Sequence, residues 1–219
     1  TAIAGKVQLE KGTAAEALKA GLEARGHTVE IAPLLSGIAF LKRTPAGWIG
    51  AADPRRDGAA IGGPFELVDQ GGTTRTEKDL LGRHALIYFG FTYCPDACPT
   101  ALIAMAEALD RLGPDAARVR PVFVSVDPER DTVEAMAAYV RAVDDRLMGL
   151  TGTPEQVARA ARAYRVFYRK STPAGSADYL VDHTSLIYLM GPDGKYVAHF
   201  SHEATPERIG EGVKRALGS

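Results

Sequence analysis

The stretch Ala85-Leu-Ile-Tyr-Phe-Gly90-Phe-Thr-Tyr-Cys94-Pro-Asp-Ala-Cys98-Pro-Thr100 brings three signals together. Ala85–Gly90 is a continuous apolar run, the pattern of a strand buried on both faces. From about Thr100 to Leu112 the residues Leu102, Met105, Ala106 and Leu109 recur at helical spacing. Between strand and helix lies a loop with both cysteines of the chain, at the C-terminal end of the strand, where open α/β sheets place their sites.

On either side of this stretch strands alternate with helices. Phe65–Asp69 and Thr73–Thr76 flank Gln70-Gly-Gly72 and read as a hairpin. The run Val119–Val126 leads into Asp127-Pro128, and Asp131 with Glu134 predicts the cap of a helix reaching Val143. Thr153-Pro154 opens a third helix, with proline at the first position where its missing N–H is harmless. Strands are expected at Val166–Arg169, Leu186–Met190 and Tyr196–Ser201, the last two joined by Gly191-Pro-Asp-Gly194, and Thr205-Pro206 begins a final helix. This order specifies an α/β protein: a three-layer α/β/α sandwich with a mixed β-sheet and an N-terminal hairpin.

Residues 1–60 have another character. Thr13 with Glu16 forms a capping-box pattern, an apolar set from Ala14 to Leu22 follows at helical spacing, and Gly26 closes the helix. Strand-like runs follow at Thr28–Ala32 and Ile38–Lys42, and the turn-rich Asp53-to-Pro64 segment marks a boundary. The expected division is an α+β appendage over 1–60 and a larger domain over 61–219, the former too thin to hold a core of its own.

With 26 Lys and Arg against 27 Asp and Glu, the net charge is −1, which calls for no nucleic acid or other polyanion. The composition, 46% hydrophobic and 24% charged, is that of a globular chain. The longest run without Asp, Glu, Lys or Arg, from His84 to Pro95, is far short of the roughly 20 apolar residues of a spanning helix. No transmembrane segment or targeting signal is read in this chain.

Two cysteines in a chain this long do not make a disulfide scaffold; their use is local chemistry. Four residues apart, Cys94 and Cys98 can turn both sulfurs toward one point, and the following helix N-terminus favours the thiolate. Pro99 biases Cys98 away from helical conformation, so Cys98 is expected in a loop. Of the five histidines, His183, in Tyr179-Leu-Val-Asp-His183-Thr before a buried strand, is the best third ligand; His84, His199 and His202 are weaker. Two sulfurs and one imidazole are too few for a closed zinc site but suit copper, with Cu(I) held by soft sulfur and Cu(II) gaining from nitrogen. Asp127-Pro-Glu-Arg130-Asp131 reads mainly as turn and cap chemistry, and Asp182 as a residue orienting His183 or capping its strand. No Walker loop, Gly-x-Ser-x-Gly, His-Glu-x-x-His or Gly-x-Gly-x-x-Gly is present.

Phe89-Gly-Phe-Thr-Tyr-Cys94-Pro-Asp-Ala-Cys98-Pro-Thr, Val124-Ser-Val-Asp-Pro-Glu-Arg-Asp-Thr132 and Tyr179-x-Val-Asp-His183-Thr together resemble the Sco/SenC family over about residues 61–219. The resemblance implies a thioredoxin-like fold and copper binding through Cys94, Cys98 and His183. It further implies metallochaperone or thiol-reductase work on the dinuclear copper site in subunit II of cytochrome c oxidase, rather than turnover catalysis, with copper donors and redox proteins as further partners. The implied location is the periplasm or the mitochondrial intermembrane space, normally behind a membrane anchor. Leu22-Glu-Ala-Arg-Gly-His27, Ser36-Gly and Gly47-Trp-Ile-Gly-Ala-Ala-Asp53-Pro-Arg-Arg-Asp-Gly58 resemble the C-terminal end of γ-glutamyltransferases. Thr1 lacks the nucleophile motif of those enzymes, so this likeness implies a fusion or gene-calling remnant before an active transferase fragment.

The competing reading is a metal-independent thiol–disulfide oxidoreductase or redox sensor using Cys94 and Cys98. Against it stand the three intervening residues, where thioredoxins have two, and the lack of any proline between Pro173 and Pro192 to face the cysteines.

Overall fold

Strand β7 (His84–Gly90) has every residue buried, so the sheet is built around it. The structure is a computed structural model, described here for residues 6–10, 19–32, 39–44, 47–52, 61–172 and 178–218. It divides into two compact units, Thr1–Ala59 and Ala60–Ser219.

In the first unit β1 (Lys6–Glu10) pairs in parallel with β2 (Thr28–Ala32), and α1 (Lys19–Glu23) lies between them in sequence. The Thr13–Glu16 capping pattern falls outside the described residues. Gly26 ends the helix as expected: its N–H bonds to the Glu23 carbonyl at 2.9 Å and its φ of 86° suits glycine. β3 (Ala39–Thr44) and β4 (Gly47–Ala52) form an antiparallel pair.

The second unit holds a seven-stranded mixed sheet. In chain order it contains the hairpin β5 (Glu66–Asp69) and β6 (Thr74–Thr76), then β7, α2 (Ala97–Leu112), β8 (Val119–Ser125), α3 (Val133–Val143) and β9 (Met148–Thr151). α4 (Pro154–Ala163), β10 (Tyr168–Ser171), β11 (Leu180–His183), β12 (Leu186–Met190), β13 (Tyr196–Ser201) and α5 (Pro206–Leu217) complete it. The sheet order is β13-β12-β7-β8-β9-β5-β6, with β7, β8 and β9 parallel and the other pairings antiparallel. β10 and β11 form a separate antiparallel ribbon.

Alternation along the strands makes the three layers. Ile87, Phe89, Val122, Val124 and Leu150 face Ala160 and Tyr164 at one side. On the other, Gly149 lies under Met136 and Val140 of α3, while Gly90 and Phe123 lie under Cys98 of α2. α2 also packs against α5. Each large apolar side chain taken fully from water in these layers contributes about 1.5–3 kcal/mol.

β1, β4 and β11 are not expected from the sequence, and three further elements depart from expectation. β9 is a four-residue strand too short to leave a period in the sequence. α3 is capped by Thr132, whose Oγ1 accepts the Ala135 N–H, because the Asp131 carboxylate is engaged elsewhere. α2 begins at Ala97, so Cys98 belongs to its first turn and not to the loop. Pro99 sits where the helix has no internal partner for an N–H, and its bias on Cys98 is overridden.

Candidate metal and thiol site

β7 and β8 run in parallel to a common end, where the Val126 N–H bonds to the Gly90 carbonyl at 2.8 Å. From Gly90 the chain turns through Phe91–Cys94, with the Cys94 N–H on the Phe91 carbonyl at 3.2 Å, and enters α2. The residue before the helix, Asp96, gives no side-chain cap. Instead the Cys98 N–H points to Cys94 Sγ at 3.4 Å, so a sulfur takes the place of a capping oxygen.

That placement sets the acid–base character of the pair. Both cysteines are free; Cys94 is partly exposed and Cys98 is fully buried. The Cys94 thiol is pulled down to about 3, chiefly by the hydrogen bond it accepts from Cys98, with further help from the N–H groups of Asp96 and Cys98, against the opposing effect of burial. Cys98 is driven upward by the same pairing and by burial, and keeps its proton. The site therefore holds one accessible thiolate and one buried thiol.

His183 closes β11 and arrives from the ribbon, where it stands opposite Tyr168. Its Nδ1 is 3.1 Å from the Thr184 carbonyl, which can only accept, so Nδ1 carries the proton of the neutral ring. The unprotonated Nε2 faces Cys98 Sγ at 3.6 Å. Tyr88 and Phe91 hold the ring edge-on, with centroids 6.0 and 5.9 Å away. A backbone acceptor on one nitrogen and a free lone pair on the other is how proteins orient ligand histidines. The Tyr88 hydroxyl is buried without a partner at hydrogen-bonding geometry although Cys98 and Ser185 flank it, and burial raises its pKa. Among the described residues no three His, Cys, Asp or Glu side chains already stand as a formed ion cage. Cys94, Cys98 and His183 are neighbours whose donors suit a soft or borderline metal, and Cys94 is the partly exposed member.

The other candidates fall elsewhere. His84 is buried at the opposite end of β7, His199 bonds the Tyr196 hydroxyl at 2.6 Å, and His202 lies beside Glu203. Asp182 is exposed and pairs across the ribbon with Arg169 at 3.1 Å, so it neither orients His183 nor caps the strand.

The sequence reading undervalued the turn at 127–131. Asp127 and Asp131 are fully buried. Asp131 accepts from Ser125 Oγ at 2.6 Å and from Thr92, through N–H and Oγ1, and so ties down the loop two residues before Cys94. Asp127 pairs with Arg130 and accepts the Tyr179 hydroxyl at 2.9 Å. Those bonds cross 39 and 52 positions, and only the repeated acidic residues of the motif hint at them.

A parallel βαβ core, with one cysteine on the loop out of its central strand and the second in the first turn of the following helix, places the chain in the class of thioredoxin-like proteins. Within that class the chain belongs to the SCO1/SenC family, whose profile matches residues 53–218. A second profile, γ-glutamyltranspeptidase, matches residues 1–63. The chain is 44% identical over 165 residues to the mitochondrial SCO1 homolog 1 of Arabidopsis thaliana, covering 75% of this chain and 49% of that protein. It is 42% identical over 186 residues to the mitochondrial SCO1 homolog of Homo sapiens, covering 82% and 61%. The chain thus spans 49% and 61% of the lengths of these two relatives. The copper-bound structure of Bradyrhizobium japonicum ScoI superposes with a TM-score of 0.66 at 47% identity, over 72% of this chain and all of that one. BsSco, described as a cytochrome c oxidase assembly protein of the Sco family with a disulfide switch, gives a TM-score of 0.58 at 28% identity, over 72% and 92%.

Proposed function

We propose that residues 61–219 form a copper-binding thioredoxin-like domain that holds Cu(I) or Cu(II) through Cys94, Cys98 and His183. The observation that carries this reading is the His183 Nε2 lone pair, 3.6 Å from the Cys98 sulfur, on a ring fixed by its other nitrogen. The thiolate of Cys94 is the accessible first contact, Cys98 supplies a second sulfur on losing its proton, and His183 supplies nitrogen. The task that fits is assembly of the dinuclear copper site of cytochrome c oxidase subunit II, as chaperone or as reductant of its cysteines, in the periplasm or the intermembrane space. Relatives described as mitochondrial and as oxidase assembly proteins support that setting. Residues 1–60 fall within the segment matched by the γ-glutamyltranspeptidase profile, and none of them is given a role in the copper site.

A second reading, thiol–disulfide exchange without metal, is favoured by the thiolate–thiol asymmetry of the pair. The Cys94 thiolate would attack a partner disulfide, releasing one partner thiolate; Cys98, giving up its proton, would attack the Cys94 sulfur and release the second, leaving a Cys94–Cys98 disulfide. The deciding experiment is a copper titration of the reduced protein beside His183→Ala. One tightly bound copper per chain, with a thiolate-to-Cu(II) absorption band that collapses in the variant, supports the copper site. No stable complex, with a dithiol–disulfide couple indifferent to the substitution, supports the second reading.

A further inference from the structure

The ribbon that delivers His183 is not part of the seven-stranded sheet but runs directly into β12, and side-chain ties hold its other end to the body of the domain. Three of those ties end on one turn. Tyr179 O–H bonds Asp127 at 2.9 Å, Lys170 Nζ pairs with Glu129 at 2.6 Å, and Arg130 Nη1 donates to the Tyr179 carbonyl at 3.0 Å. The Arg130 guanidinium also lies 3.8 Å over the Tyr179 ring, 4.9 Å from that of Tyr93 and 5.8 Å from that of Phe91. Tyr93 adjoins Cys94, and Phe91 is the ring against which His183 rests. The neighbouring Asp131 grips Thr92 of the same loop.

From this juxtaposition we propose that the 127–131 turn is a latch and Arg130 its positioning residue, stacking between the cysteine loop and the ribbon and thereby fixing how far His183 stands from Cys94 and Cys98. The idea rests on the copper reading above in one respect: the consequence is selective for oxidation state. Cu(I) draws most of its binding from the two soft sulfurs, whereas Cu(II) leans more heavily on the nitrogen. Loosening the latch frees His183, while Cys98 stays in the first turn of α2 and the Cys94 N–H stays on the Phe91 carbonyl. Arg130 is a positioning residue and touches no metal.

The test uses the full chain with Arg130→Lys, which keeps the charge and loses the planar stack, and Tyr179→Leu, which leaves the Arg130–Asp127 pair intact. Cu(I) and Cu(II) affinities are measured by chelator competition, and amide hydrogen exchange is followed in the metal-free protein. Each variant is expected to lose at least about tenfold in Cu(II) affinity while Cu(I) affinity stays within about threefold, since a single ligand is displaced. Exchange at Val181–His183 should accelerate while β7 stays protected. Equal losses for the two oxidation states, unchanged Cu(II) affinity, or unaltered exchange in the ribbon overturns the latch. Loss of protection in β7 in both variants also overturns it, by making Arg130 a residue of global stability. If the unsubstituted chain binds no copper, the copper reading fails and the exchange data alone decide the latch.

Discussion

Gly90→Ala tests whether Cys98 is seated by the floor beneath it. A Cβ at Gly90 would stand 2.7 Å from Cys98 Sγ, 2.9 Å from Phe123 Cε2 and 3.2 Å from Tyr88 Cε1, where carbon contacts settle near 3.5–4.0 Å. None of the three can yield cheaply. Phe123 and Tyr88 are fully buried, and β7 is hydrogen-bonded on both sides, by β8 and β12. Gly90 is not in the left-handed region, so alanine carries no backbone penalty there and would bring a gain of about 0.5–1 kcal/mol if space allowed. Overpacking of a filled core costs about 1–3 kcal/mol. The net expectation is a loss of about 1–2 kcal/mol, or a fall in Tm of roughly 2–8 °C for a unit of this size. The assay is urea unfolding at constant m-value, paired with the copper titration, because the atom with most freedom to move is the Cys98 sulfur. A variant as stable as the parent or more so, with an unchanged copper spectrum, would refute the packing argument in sign as well as size.

Three further outcomes follow from the site. With Cys94 held near 3 and Cys98 raised, iodoacetamide should label Cys94 at a nearly constant rate from about pH 5 to 8 and leave Cys98 unlabelled, as peptide mass mapping would read; a rate that climbs through pH 8–9 contradicts the thiolate. Burial, the leading influence on Asp131, raises its carboxyl above 3.8, so the stability this group contributes is fullest below that pH and is lost as pH rises through its folded value; relative to wild type, Asp131→Asn should gain in unfolding free energy as pH rises from 3.8 through that folded value, and a flat difference counts against the assignment. Thr92→Ala removes the hydroxyl bonded to Asp131 at 2.6 Å, and chemical denaturation should show a loss of about 1–3 kcal/mol from the acceptor left buried.

What the sequence disclosed was what depends on neighbours along the chain. The β7 strand, the hairpin turn at Gly71-Gly72, and the Thr153 and Thr205 caps are local patterns, and each appears where its pattern points. The meeting of Cys98 with His183 was suggested by the place of His183 before a buried strand and sharpened by the motif resemblance, since no local rule brings the end of β11 to the start of α2. What escaped is governed from a distance. Asp131 looked like a helix cap and is instead claimed by Thr92 and Ser125, which shifts the cap to Thr132. Asp182 looked like a partner of His183, but strand alternation turns it outward to Arg169. Arg130 looked like a turn residue, and its stacking on Tyr93 and Tyr179 becomes visible only when the ribbon is folded over it.

The 85-position gap between Cys98 and His183 has a meaning in time as well as in space. A ribosome adding about 5–20 residues per second needs roughly 4–17 s to pass from the second cysteine to the histidine. During that interval the nascent chain carries an adjacent pair of thiols with no imidazole to complete them. Folding that brings His183 to the pair thus comes after the two thiols are made, and until then any oxidant in their surroundings competes with folding for them.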